Sequence, residues 1–236
     1  MAHPELPEIV SREEWRTARA ELLAKERVVA RARAALDAER RALPMVEVGT
    51  AYVFEGGDGK AGLLDLFEGR RQLVVHHFRF DPGWETGCRC CAAFLDQVGH
   101  LAHLNAQGAS FAVVSRAPFT RILPFKARMG WTVPWYSCPE DDFGADFEAT
   151  VPAGDAAVPA GEATVPAGEA AQEPDRGPGG RPGLSCFLRE GDRVFHTYSV
   201  FGPELDRLGP AAGFLDLTAL GPWDGSRVRY HDEYDL

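Results

Sequence analysis

Residues 73–95 read LVVHHFRFDPGWETGCRCCAAFL, and this stretch decides the fold. Leu73 through Phe80 is a β-rich run that begins apolar throughout, the pattern of a strand covered on both faces, as central strands of α/β sheets are. Behind a loop carrying Pro82 and Gly83 come three of the chain's five cysteines, Cys88, Cys90 and Cys91. They stand where the next run begins to read as a helix. Two residues separate Cys88 from Cys91, and that spacing between a strand and a helix start is a redox signature.

Working outward, Phe94, Leu95, Val98, Leu101 and Leu104 give one helical stripe over residues 91–108, stopped by Gly108. Residues 109–118 (ASFAVVSRAP) read as a second strand, and 119–130 (FTRILPFKARMG) as a helix that Pro124 should bend or interrupt. Strand, helix, strand, helix implies parallel strands with crossover helices. Upstream, Gly56, Gly57, Asp58 and Gly59 supply turn chemistry for a hairpin. Ser11 and Glu14 stand in capping-box spacing ahead of a helix of about thirty residues that closes at Pro44. Its large apolar residues Trp15, Leu22, Val29, Leu36 and Leu43 recur every seven positions, but Ala18, Lys25, Ala32 and Glu39 between them are small or charged. That pattern favours a helix laid along its own domain over a dimer zipper, with a homodimer as the alternative.

Downstream, VPAGDAA, VPAGEAT and VPAGEAA follow one another at 151–171. Each unit carries Pro and Gly and one large apolar side chain, so residues 150–181 read as a flexible, disordered insertion with no core of its own. Two strands then flank Glu190, Gly191 and Asp192, and a last helix is expected from Pro203 through Leu215. The expected organisation is an N-terminal helical extension at 1–45, one main domain built from 46–149 and 182–220, and a C-terminal tail at 221–236.

The net charge of −10 argues against phosphate-backbone recognition, and nucleic acid is not expected as a partner. No stretch approaches eighteen apolar residues and the start has no basic, then apolar, leader, so neither membrane span nor export signal is expected. Five cysteines, odd in number and with three of them clustered, do not form a secreted disulfide framework; a reducing, cytoplasmic setting suits catalytic or metal-binding thiols.

In this context Cys88 and Cys91 read as a thioredoxin-like dithiol. Free N–H groups at a helix start and the cation Arg89 favour the Cys88 thiolate, making it the attacker, while Cys91, about one turn inside, resolves the mixed disulfide. Two other readings stand beside it. One is a thiolate site for Cu(I) or Zn²⁺ using Cys88, Cys90, Cys91 and a histidine or Cys186; the other is a redox-inert interaction module. The leading reading needs a thiol or disulfide substrate, protein or small molecule, and no cofactor or metal.

FEGGDGKAGLLDLFEGRRQLVVHHF, GWETGCRCCAAF, VVSRAPFTRILPFKARMGWTVPWYS and PGLSCFLREGDRVFHTYSVFGPELDRL resemble a bacterial thioredoxin-like family of unknown function, DUF899. The resemblance runs from Ser11 to near the C-terminus apart from the repeat. It implies an α/β thioredoxin-like fold, a central mixed sheet flanked by helices, related to the alkyl hydroperoxide reductase and thiol-specific antioxidant group. It also implies a substrate groove beside the dithiol, for which Trp84, Arg89 and the strand-preceding Pro182 are the candidates. The peroxidase motif P-x-x-x-T-x-x-C fails here, because Pro82 and Thr86 would require a cysteine where Arg89 stands.

Remaining candidates have plainer readings. His76 and His77 face opposite ways on a strand and read as core histidines. His100 and His103 share a helix face and read as solvated. Trp131, Trp135 and Tyr136 read as packing, and Asp141, Asp142 and Asp146 as a polar loop.

Overall fold

The computed structural model describes residues 7–140, 142–150, 180–202, 205, 208–210 and 230–233. Ser11 caps α1 (Arg12–Arg41) through the reciprocal box, its side chain accepting from the Glu14 N–H while the Glu14 carboxylate accepts from the Ser11 N–H. The helix buries none of its residues. Trp15, Leu22, Val29, Leu36 and Leu43 remain 48–58% exposed, so the expectation of a helix laid along its own domain is not met. The physical reason lies in the stripe: one large residue per heptad, flanked by small and charged neighbours, offers too little apolar area to dock. Near its C-terminal end the Arg40 guanidinium does sit 4.7 Å over the Tyr198 ring.

The strands and helices that follow are β1 (Val46–Glu47), β2 (Phe54–Gly56), β3 (Gly59–Ala61), β4 (Gln72–His77), α2 (Arg89–Asp96), α3 (Ala102–Ala106) and β5 (Ala109–Ser115). Then come α4 (Phe119–Arg128), β6 (Trp135–Ser137), α5 (Asp142–Asp146), β7 (Gly183–Glu190) and β8 (Arg193–Phe201). All eight strands form one sheet in the order β1-β8-β7-β4-β5-β6-β2-β3. The apolar β4 run is central, paired parallel to β5 and antiparallel to β7, and β7 returns antiparallel as β8. That four-strand core, two parallel strands joined through helices and a hairpin added beside the first, is the thioredoxin-like arrangement. The β2–β3 hairpin forms at the expected turn, where Gly59 takes φ +101°.

Both faces of the sheet are covered, as the unbroken apolar run of β4 requires. On one side Phe78, Phe80, Val113, Ile122, Phe125 and Trp135 pack with Cys88 and Cys91. On the other Phe54, Phe67, Leu73, Val75, Phe143 and Phe187 form a second core. Each fully buried phenylalanine contributes roughly 1.5–3 kcal/mol of transfer free energy.

Two local expectations change. The helix read as continuous over 91–108 is two, α2 and α3, interrupted around Gly99, where glycine's conformational freedom disfavours helix. Pro124 does not break α4, which runs through it. The helix expected over 203–215 falls largely outside the described residues, as do the tail at 221–229 and the insertion at 151–179. The insertion's flanks are described: the Arg181 N–H donates to the Ala149 carbonyl at 2.5 Å, so the two ends of the segment meet at its base.

Because that base is closed by main-chain hydrogen bonding, replacing residues 151–179 by a short Gly/Ser linker should leave the melting temperature within about 3 °C. That is the shift of roughly 1 kcal/mol in a chain of this size, and a fall of about ten degrees in a thermal scan would mean that the segment packs.

Candidate active site

After β4 the chain crosses the sheet's end, turns at 81–84 and comes back on itself. Gly87 is required at the return, because a Cβ there would collide with the Phe78 ring. The Cys88 N–H donates to the Arg79 carbonyl at 2.9 Å, and the Arg79 N–H points at the Cys91 sulfur at 3.4 Å. These two contacts fasten the start of α2 to the end of β4. Cys88 is the N-cap residue of α2, with extended φ and ψ.

Cys88 and Cys91 are both buried, whereas Cys90 is exposed. The thiols of Cys90 and Cys91 reach the Cys88 sulfur, and they are the main reason its acidity is raised well above that of an ordinary thiol. Burial opposes this, while the Cys91 amide and the Arg79 cation add to it. The sulfur makes no cap hydrogen bond of ordinary geometry to a helix amide, so the amide acts through its field. Burial pushes the Cys91 thiol the other way, well up, and its contact with Cys88 reinforces the shift. The sequence offered Cys90 only as a ligand of the metal reading; here its thiol is among the groups that favour the Cys88 anion.

The surroundings come from distant parts of the chain. The Arg79 guanidinium lies 5.6 Å from the Trp84 ring centroid, and the Trp84 carbonyl accepts from Arg121 at 2.6 Å. Tyr230 is buried with its hydroxyl donating to the Gly87 carbonyl. Arg128 grips Asp232 through Nε and Nη2, at 2.7 and 2.9 Å, and Arg89 stands 3.8 Å from Glu233. Arg89, expected to face the groove and the Cys88 thiolate, thus leans toward the C-terminal segment, 5.6 Å from the Tyr230 ring centroid. Beneath the dithiol, His76 packs against Phe78 and Phe94 with neither ring nitrogen hydrogen-bonded.

A family model described as "Bacterial protein of unknown function (DUF899)" matches residues 4–234. The chain belongs to that family. No curated protein matches it. Among solved structures, a cysteine-to-serine mutant of Xanthomonas campestris Peroxiredoxin Q is similar at 16% identity and a TM-score of 0.43, over 75% of this chain and 93% of that one. Peroxidoxin BcpB from Mycobacterium tuberculosis gives 13% and 0.40, over 66% and 86%. An uncharacterized conserved protein from Geobacillus kaustophilus gives 11% and 0.40, over 66% and 72%. The strand order carries the fold assignment of this DUF899 chain; these likenesses carry none of it.

The other candidate residues disperse. Pro182 directly precedes β7, next to the Gly183–His77 pair, which puts it at the same end of the sheet as the dithiol loop. Cys138 belongs to the core on the opposite face from Cys88, and Cys186 sits within β7 near Arg40. His100 and His103 are exposed. Trp135 is buried and donates to Ser115, Trp131 donates to Asp96, and Asp146 accepts from Tyr52, all structural bonds. Asp141 lies outside the described residues. Among the described residues no group of three His, Cys, Asp or Glu side chains is arranged to hold a metal, and no helix is long and apolar enough to cross a membrane. Arg79 and Tyr230 were missed as site residues because nothing local in the sequence marks them, whereas His76 is the core histidine the strand pattern implied.

Burial drives His76 and His77 down to about 3 from 6.5. Both are neutral when folded and take up protons when unfolded below about pH 6.5, so stability should fall as pH drops from 6.5 toward 3. The loss is on the order of 1–2 kcal/mol per histidine by pH 5. Thermal scans at pH 7.5 and 5 should show the decline, and His76→Leu should about halve it, leaving the share of His77; an equal slope in the variant would contradict the assignment.

Proposed function

We propose that this chain is a thiol–disulfide oxidoreductase working through Cys88 and Cys91. The observation that carries the reading is the asymmetry of the pair. Cys88 caps a helix and is surrounded by thiol donors, an amide and a cation that favour its anion, while Cys91 is sealed in the core as a thiol.

The Cys88 thiolate attacks one sulfur of a disulfide R–S–S–R, forming a Cys88–S–S–R bond and releasing R–S⁻, which takes a proton from solvent. Cys91 then loses its proton and attacks the Cys88 sulfur. A Cys88–Cys91 bond forms and the second R–S⁻ leaves. Two electrons pass from the protein dithiol to the substrate, and a further round needs an external dithiol reductant. The buried Cys91 deprotonates only as its neighbour's negative charge is lost to the mixed disulfide, which orders the two steps. Trp84 and Pro182 flank the loop end and suit a groove wall. Arg89, drawn to Glu233, suits a role in holding the C-terminal segment over Gly87. A cytoplasmic setting, where thiols are kept reduced, fits the same reading.

Alkylation rate against pH is the test. Wild-type protein should show one fast thiol ionising below the free value of about 8.5. Cys88→Ser should abolish both that reactivity and disulfide reduction, whereas Cys91→Ser should keep the nucleophile and trap substrate as a mixed disulfide. Cys90→Ala should move the Cys88 ionisation upward, because it removes one of the groups that favour the anion. Survival of the fast thiol in Cys88→Ser would overturn the choice of nucleophile, and stoichiometric zinc retention without reversible thiol loss would replace redox chemistry by metal binding.

A further inference from the structure

At the sheet end that carries the dithiol loop, a small open cleft of about 40 Å³ is lined by Arg79, Asp81, Arg116 and Arg181, among others. Three cations face one carboxylate. Arg116 and Asp81 are paired at 2.9 Å. Arg79 and Arg181 have no carboxylate partner among the described residues: Arg79 lies near the Trp84 ring, and Arg181 4.9 Å from the Phe201 ring centroid.

The orphaned atoms of Arg79 are specific. Its Nε and Nη2 are buried without a hydrogen-bond partner. Those two atoms form the edge of a guanidinium that takes a carboxylate in bidentate fashion. The protein uses that same edge twice elsewhere, with Arg128 on Asp232 at 2.7 and 2.9 Å and Arg193 on Glu47 at 2.8 and 2.7 Å. Keeping a shielded fork without a protein acceptor costs desolvation free energy, which a bound anion would offset. Arg79 is also the residue whose main chain holds both Cys88 and Cys91. The Arg79 cation also acts on the Cys88 thiolate, which couples the cleft's charge to the dithiol although neither Cys88 nor Cys91 lines the cleft.

We infer that the cleft binds a carboxylate of the substrate, through Arg79 and Arg181, so that the preferred substrate is a low-molecular-weight disulfide bearing carboxylate groups. This rests on the thiol–disulfide reading above and narrows it. Arg116, neutralised by Asp81, shapes the cleft wall. A cationic disulfide would meet uncompensated like charge there, and a neutral one would leave the Arg79 fork unpaired.

The test is single-turnover reduction by pre-reduced, reductant-free protein of oxidised glutathione, hydroxyethyl disulfide and cystamine, which are anionic, neutral and cationic. Oxidised glutathione should react at least tenfold faster than cystamine, with the neutral disulfide between them. The anionic-to-cationic rate ratio should fall about tenfold in Arg79→Gln and in Arg181→Gln, and stay put in the distant Arg193→Gln. Using the ratio cancels any effect of Arg79 on Cys88 acidity. Equal rates for the three disulfides, or a ratio preserved in both cleft variants, overturns the inference while leaving the redox reading intact. Should no disulfide react, the redox reading fails instead. The cleft is then judged by titrating S-methylglutathione, which has the carboxylates but no exchangeable sulfur. Binding that Arg181→Gln weakens about tenfold supports the anion site, and no binding by wild-type protein overturns it.

Discussion

The two main-chain contacts of Arg79, its carbonyl to the Cys88 N–H and its N–H to the Cys91 sulfur, are the constraint on which the site depends. They fix the start of a short helix against the end of the central strand. An eight-residue helix has little stability of its own, so α2 takes its position from this tie and from the apolar face formed by Cys91, Ala92 and Leu95. Gly87 makes the tie sterically feasible, and the Phe78 ring that would strike any larger residue there is itself part of the core beneath. The packing that builds the sheet thus also sets where the sulfurs lie.

Electrostatic asymmetry follows from that placement. Cys88 and Cys91 are one helical turn apart and both are buried, yet their acidities diverge, because donors gather on the Cys88 sulfur while deeper burial and the neighbouring Cys88 hold the proton on Cys91. Proton accounting explains the division: two adjacent thiolates in a low-dielectric site are prohibitive, so stabilising one forces the other to hold its proton. Arg79 contributes on both sides of the loop, its main chain to the thiols and its guanidinium to the cleft. Tyr230 closes the assembly from a segment more than a hundred residues away in sequence, through the Gly87 carbonyl.

Much of the fold was legible because its signals are local. The capping box of Ser11 and Glu14, the glycine turns at 56–59 and 191, and the double-faced apolar run of β4 each specify their element from a few neighbouring residues. The break between α2 and α3 was less legible, since Phe94, Val98 and Leu101 keep helical spacing across it while Gly99 quietly disfavours helix. The misreading of α1 has a different cause. Sequence periodicity reports which residues share a face, not whether anything comes to cover it, and the seven-residue stripe remains half exposed.

The sequence alone determined that a C-x-x-C pair would stand between a central strand and a helix start, because spacing and period are properties of adjacent residues. Only the tertiary structure decided which charges and donors meet the two sulfurs. Cys90 joined the groups that favour the Cys88 anion, Arg89 turned toward Glu233, and Arg79 became both the clamp and one of the two cleft cations without a carboxylate partner among the described residues. Those outcomes depend on how a loop reverses over the end of a sheet and on a tyrosine arriving from the far end of the chain. Pairwise distances between residues remote in sequence are set by the packing of the whole core, and no local pattern encodes them.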